Sequence, residues 1–143
     1  MLVRTIDKVK TVAWGNGLSR RFLLEADGLG YSVTDTLVRA GSKSPLQYVN
    51  HVESCYCIMG TGWVTDSAGN SHRLEPGVLY ALDQHDAHIL EADPTGDMRL
   101  VCVFAPALAG DERHQLDGDG HSAYAAPRGN GGLVRDDAQA QAA

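Results

Sequence analysis

Basic charge is in short supply in this chain of 143 residues: twelve Lys and Arg stand against eighteen Asp and Glu, a net charge of -6 at pH 7. Nothing in that balance offers a footprint for nucleic acid or anionic lipid, so neither is expected as a partner. Long apolar runs are missing as well. The longest, such as Leu100 to Leu108, fall far short of the roughly 20 residues that span a bilayer, and no membrane partner is expected. The opening MLVRTIDKVK is charged from its fourth residue and has no apolar leader core, which predicts a cytoplasmic chain. Cysteine is scarce, at three residues. Cys55 and Cys57 are two apart, on one face of any strand and without the geometry of an ordinary disulfide, so all three thiols are expected to be reduced. What the chain does have is 43% hydrophobic and 21% charged residues, which excludes a disordered chain, a collagen repeat and a small disulfide scaffold. A domain of this length buries roughly 70% of the surface its unfolded chain exposes.

Helix-forming stretches are nearly absent. One short helical turn is expected around Thr5 to Val12, where Thr5 and Asp7 offer caps. Sixteen glycines punctuate short apolar runs instead, and the runs read as strands: Gly30 to Arg39, Glu53 to Met59, Gly62 to Asp66, Val78 to Leu82, Ala87 to Glu91 and Met98 to Phe104. Ser67-Ala68-Gly69-Asn70 predicts a hairpin turn. Many short strands with almost no helix imply a sandwich or barrel that closes its own edges. After Pro127 the residues RGNGGLVRDDAQAQAA are low in aromatics, and a disordered tail over 127–143 is expected to follow a domain over 1–126.

One spacing carries more. Gly41, five residues, Gln47, one residue, Val49, three residues, Glu53, six residues and Gly60 together resemble the first signature of the cupin barrel. The resemblance implies an all-β, single-domain cupin of the jelly-roll type. In cupins generally the places of Gln47 and Val49 are metal-binding histidines and that of Glu53 is the third ligand, so two ligands are replaced here. Pro76-Gly77, the strand to Leu82, the turn Asp83-Gln84-His85-Asp86 and then His88 resemble the second signature, with His88 at the last ligand position. An isolated buried carboxylate at Glu53 is costly without a partner, so a third ligand is sought. Tyr80 is the candidate: it lies on the strand feeding the His88 loop, and a phenolate beside a carboxylate and an imidazole suits iron.

The stretches HVESCYCIMGTGWV, LEPGVLYALDQHDAHIL and CVFAPALAGDERH, with GNGLSRRFLLEADGLGYSVTDT before them, resemble the ectoine synthase family of cupin cyclases from about residue 15 to 114. That resemblance implies Fe(II) held by Glu53, Tyr80 and His88, and closure of N-γ-acetyl-L-2,4-diaminobutyrate to ectoine with loss of water. It implies a cytoplasmic homodimer acting on a small molecule. By matching position it places Glu112, His114 and Tyr48 as catalytic residues, and Arg21, Thr36, Leu82, Phe104 and Pro106 around the substrate, Arg21 suiting its carboxylate. Two other functions stay open: a cyclodehydratase for a different N-acyl diamino acid, and a non-catalytic cupin that binds a small molecule.

The bland readings compete residue by residue. Glu53 taken alone is a solvated edge carboxylate, His88 a hydrogen-bonded rim histidine and Tyr80 a core tyrosine with its hydroxyl paired. Cys55, Cys57 and Cys102 fit core packing better than a thiolate site. His85 is expected to support its turn, His72 and His121 to be exposed in loops, and Trp63 either to line a pocket or to meet a partner subunit. Strand parity puts His51 and Glu53 on one face and turns Tyr48 away unless the chain bulges. A Trp that the family usually places after the GNG turn is replaced by Gly17 and Leu18, and the nearest is Trp14. Lower activity, a changed substrate, or compensation by Trp14 from a shifted loop would each follow from that departure. Val78, Met59 and Thr61 depart from acidic residues of many relatives and read as surface drift.

Overall fold

The structure is a computed structural model and describes residues 1–114 and 121–124. The expected tail over 127–143 lies outside the described residues. Among the described residues, ten strands form two antiparallel sheets. In chain order they are β1 (Lys10–Ala13), β2 (Gly17–Leu23), β3 (Ser32–Val38), β4 (Lys43–Leu46), β5 (Val52–Met59), β6 (Gly62–Asp66), β7 (Ser71–Leu74), β8 (Leu79–Leu82), β9 (His88–Ala92) and β10 (Met98–Ala105). One sheet has the order β1-β2-β3-β10-β5-β8 and the other β4-β9-β6-β7. The face-to-face sheets are the cupin architecture that the two signatures imply.

Alternation at period two fixes which residues enter the barrel. Along β5, Glu53, Cys55 and Cys57 are buried while Val52, Tyr56 and Ile58 are exposed. Along β10, Met98, Leu100, Cys102 and Phe104 are buried. The register sets Glu53 opposite Phe104, Cys55 opposite Cys102 and Cys57 opposite Leu100. Apolar side chains therefore fill the barrel from Met98 and Leu100, and polar chemistry begins two residues further along the same strands. Each fully buried Leu or Met of this core stabilises the fold by about 1.5–3 kcal/mol.

Six strands fall where the sequence places them, within two residues at each end, and the hairpin over 67–70 is present, closed by Asp66 N–H to the Asn70 carbonyl at 3.0 Å. The N-terminal helical turn is not. Lys8 N–H meets the Thr5 carbonyl at 3.0 Å in a single turn, after which the chain enters β1. Among the described residues the helical segment is instead a 3-10 turn at Glu25–Asp27, ended by Gly28 at φ +72°. Capping residues are shared by turns and helices, and pairing of Lys10–Ala13 with β2 supplies the backbone partners that a helix would have used. Four strands lack a sequence signal for specific reasons. β1, β4 and β7 are short edge strands, β4 containing Pro45, which edges tolerate. β2 carries Arg21 on its buried face, which hides the alternation. His72 lies on β7 rather than in a loop, and it is exposed as expected.

The segment 121–124 extends the smaller sheet at its open side. Ser122 bridges to Leu46 on the free edge of β4, with Ser122 N–H to Pro45 O and Gln47 N–H to Ser122 O both at 3.0 Å. That docking carries Tyr124 into the core.

Gly60, the last residue of the first signature, sits at φ +76°, and a Cβ there would meet the Asp97 carbonyl oxygen at 2.3 Å. Gly69 has φ +88° but open space around it. Gly69→Ala is expected to cost about 1 kcal/mol, the left-handed backbone penalty alone. Gly60→Ala should cost on the order of 3 kcal/mol, since the barrel must also shift. Urea midpoints of the two variants check this, and equal losses would contradict it.

Candidate active site

A narrow cavity lies between the sheets where the apolar filling stops, and strands, loops and the docked segment all contribute to its walls. Glu53 and Cys55 enter from β5, Cys102 and Phe104 from β10, Thr36 from β3 and Tyr80 from β8. Trp14 comes from the β1–β2 turn, Tyr48 from the β4–β5 loop, His114 from beyond β10, and Tyr124 from the docked segment.

Glu53 is 6% exposed and has no ion-pair partner among the described residues. Burial pushes its carboxyl up to about 7, and hydrogen bonds from the Cys55 and Cys102 thiols only partly oppose this. Tyr80 stands beside Cys55 in the β5–β8 register, and burial, with Cys55 and Glu53 adding to it, pushes its phenol up well above the ordinary value. His88 faces Tyr80 from the second sheet, ring centroids 6.3 Å apart. Its Nδ1 meets the Asp86 carbonyl at 2.9 Å and must carry the hydrogen, since a carbonyl only accepts. The buried Nε2 therefore keeps a bare lone pair, with no hydrogen-bond partner among the described residues. Burial also holds His88 below its ordinary pKa, hence neutral. Glu53 and Tyr80 line the narrow cavity, whereas His88 lines the adjoining cleft with Tyr80 and Leu82; a fixed tautomer with an orphaned nitrogen, an uncompensated carboxylate and a phenol are ligand types that suit a cation able to take N and O donors.

The second group is a hydrogen-bonded tyrosine–histidine pair. Tyr48 Oη and His114 Nε2 share a hydrogen at 2.8 Å, and His114 Nδ1 lies 3.1 Å from Ser122 Oγ. Burial first, then the nearby charge of Arg21, pushes His114 down to about 3, so the imidazole is neutral at any physiological pH. Burial pushes Tyr48 the other way, well up, so its hydroxyl stays protonated. Tyr124 stacks on His114 at 4.3 Å and Phe104 meets Tyr48 edge-on at 5.3 Å, which locks both rings.

Several expected positions change meaning here. Tyr48 faces the cavity, because residues 47–51 are loop and strand parity begins only at Val52. The loop is held by His85, whose Nδ1 reaches the carbonyls of Tyr48 at 2.8 Å and His51 at 3.0 Å, so the His85 ring, at φ +55°, supports the 47–51 loop and not the turn it sits in. Arg21 and Glu112 do not line the cavity. The Arg21 guanidinium is fully buried on Gly110 O at 2.7 Å, on the Glu112 backbone carbonyl and on Glu112 Oε1 at 3.3 Å. The Glu112 carboxylate also accepts Ala109 N–H and Gly110 N–H, each at 2.7 Å. Arg21, expected on a substrate carboxylate, and Glu112, expected as a catalytic residue, thus hold each other, since the 109–112 turn brings the acid back onto β2. Thr36 and Phe104 are in the wall, whereas Leu82 lines a separate cleft with Tyr80 and His88. Pro106 offers its carbonyl to His51 Nδ1 at 2.8 Å, leaving His51 Nε2 buried and bare. His51 is a feature that sequence reasoning did not single out as a site residue. Trp63 is outside the cavity, with Arg73 5.2 Å above its ring.

Packing accounts for the position of Trp14. Trp14 lies in the cavity wall, its indole N–H on the Leu37 carbonyl at 3.2 Å. A Cβ on Gly17 would fall 1.7 Å from that same oxygen and 2.9 Å from the Trp14 nitrogen. Glycine at 17 is what admits an indole from position 14.

A model of the ectoine synthase family matches residues 1–126. The chain belongs to the ectoine synthase family. It is 42% identical over 123 residues to the L-ectoine synthase of Desulfosudis oleivorans, covering 82% of this chain and 95% of that relative. The L-ectoine synthase of Halalkalibacterium halodurans is 44% identical over 118 residues, covering 82% and 88%. Among solved structures, ectoine synthase from P. lautus superposes with a TM-score of 0.73 at 40% identity, covering 77% of this chain and 81% of that one. The cupin domain of Schizosaccharomyces pombe Cnp3, at 13% identity and a TM-score of 0.61 over 73% of this chain and 74% of that one, shares the fold.

The raised carboxyl of Glu53 makes the metal-free protein lose stability as pH rises. With a folded value of about 7 against an ordinary 4.5, the native state holds a proton that the unfolded chain releases between those limits, so stability falls across that window. Glu53→Gln should match wild type near pH 4.5 and exceed it by up to about 3 kcal/mol at pH 8. Thermal midpoints of chelator-treated proteins across pH test this, and a pH-independent difference would contradict it.

Proposed function

We propose that this chain is an ectoine synthase, a hydro-lyase that closes N-γ-acetyl-L-2,4-diaminobutyrate to ectoine with loss of water. The observation that carries the reading is the meeting, in one narrow cavity, of the uncompensated Glu53 carboxylate with the neutral Tyr48–His114 pair. Family membership supports the substrate.

The reaction makes one carbon-nitrogen bond and breaks one carbon-oxygen bond. The substrate amine attacks the acetamide carbonyl carbon, and both amine hydrogens finally leave with the carbonyl oxygen as water. Two protons must therefore move from nitrogen to oxygen. The Tyr48 hydroxyl relays them, giving its proton to the departing oxygen and taking one from the nitrogen so that it ends unchanged, while the neutral His114 imidazole, hydrogen-bonded to it, orients the hydroxyl. Ser122 on the far nitrogen keeps the imidazole oriented during the exchange. Trp14, Phe104 and Tyr124 form the apolar walls that hold the extended substrate bent, with reacting atoms at about 3–3.5 Å. Thr36 is the polar contact on the β3 side.

Fe(II) held by Glu53, Tyr80 and His88 would supply a Lewis acid for the carbonyl oxygen. Arg21 and Glu112 act as a positioning pair: they fix the turn from which His114 enters the cavity. The enzyme works in the cytoplasm as a homodimer, a state supported by exposed Tyr56, Leu79 and Val103 on the outer face of the larger sheet.

Tyr48→Phe should lower kcat by about 10²-fold or more while iron content and fold are unchanged. Glu53→Ala and His88→Ala should each lose bound iron together with turnover, with circular dichroism like wild type. Anaerobic assays of the Fe(II)-reconstituted proteins by NMR, with iron quantified in parallel, decide both. Folded, iron-replete and active Glu53→Ala or His88→Ala protein would overturn the ligand assignment.

A further inference from the structure

Proton transfer through Tyr48, oriented by His114, leaves two buried thiols unused on the cavity wall. Cys55 and Cys102 are direct partners in the β5–β10 register, both free and both buried. A ligand atom of Glu53, Cys55 Sγ and Cys102 Sγ all lie within 4.8 Å of one another. All three side chains line the cavity where it meets the core. Cys57, next on the same strand face, differs: its thiol points to the Met59 and Gly60 carbonyls, each at 3.6 Å.

Two sulfurs and one carboxylate are the donors of a soft or borderline cation. Zinc takes thiolate at about 2.3 Å and carboxylate oxygen at about 2.0–2.2 Å, which places tetrahedral donors roughly 3.8 Å apart. Donors already within 4.8 Å of one another reach that spacing by side-chain adjustment of about 1 Å. Binding exchanges the two thiol protons for the cation, M²⁺ + 2 RSH giving M(SR)₂ + 2 H⁺, with no change of oxidation state. Strand pairing already brings the two sulfurs together, so little ordering is left for the ion to impose.

We propose that Glu53, Cys55 and Cys102 form a second cation site, for a thiophilic divalent ion of the zinc and cadmium class, overlapping the iron donor set at Glu53. The thiolate site stands on its own geometry, and only the competition rests on the iron reading. Because one carboxylate belongs to both sets, an ion on the cysteines removes a ligand from iron. The chain thereby senses thiophilic metal by losing iron.

The test uses the full chain, stripped with a chelator and kept reduced, titrated anaerobically with Cd²⁺. Wild type should develop a sulfur-to-metal charge-transfer band that saturates at one ion per chain. Cys55→Ser and Cys102→Ser should lose the band, while Cys57→Ser and His88→Ala keep it. Cadmium NMR of the wild-type chain reads the number of bound sulfurs without any variant, and two are expected. A band that is absent from folded wild type, or that disappears in Cys57→Ser or His88→Ala, overturns the site. Prior loading with Zn²⁺ should then cut Fe(II) uptake by about tenfold or more in wild type, with uptake restored in Cys102→Ser. Sulfur ligation with undiminished iron uptake would overturn the overlap and place the fault in the iron ligand set, not in the cysteine pair.

Discussion

The burial of the Glu53 carboxylate, with no cationic side chain within ion-pair distance among the described residues, is the constraint around which the cavity is organised. Moving an unpaired carboxylate out of water costs several kcal/mol unless it takes up a proton or a cation. Elsewhere the protein gives its interior charges partners: Asp35 lies between Arg20 and Arg99, and Glu112 lies on Arg21. Glu53 receives two weak thiol donors and nothing more. Its raised pKa records that imbalance, and a bound cation is the physical means of relieving it.

Around this group the two sheets contribute different chemistry. The larger sheet brings the carboxylate, both thiols and the Tyr80 phenol, because β5 lies between β10 and β8 and the register aligns their inward residues. The smaller sheet brings His88, with its tautomer already chosen by the Asp86 carbonyl. The Tyr48–His114 pair belongs to neither sheet. Tyr48 is on a loop pinned by His85, and His114 follows a turn pinned by Arg21 and Glu112. Rigid strands hold the donors where small displacements matter most, and the pinned loops hold the tyrosine–histidine pair.

The Arg21–Glu112 pair also shows why residue type alone misleads. A buried arginine and a nearby acid match the charges of an amino-acid substrate, yet here they satisfy one another through bonds to Gly110 and to the Glu112 backbone as well as through the ion pair. Removing either partner would leave the other charged and buried, which is costly in a way that replacing an exposed charge is not. What they hold in place is the turn that precedes His114.

Period-two burial and the spacing of the two signatures are local properties, and the barrel, six of its strands and the members of the proposed donor set could be read from them alone. Glu53 and His88 were legible through those frames, and Tyr80 through its strand. Long-range packing set the rest. Four strands escaped notice, three as short edges and β2 because an arginine sits on its inner face. Whether Tyr48 faces the cavity depended on where β5 begins, and whether Arg21 and Glu112 face a substrate or each other depended on a turn whose Gly110 lies 89 residues beyond Arg21. Trp14 reaches the cavity wall only because Gly17 leaves room against Leu37. Contacts of that kind join separate elements of the fold, and no local pattern of residue types encodes which of two compatible partners a side chain will meet.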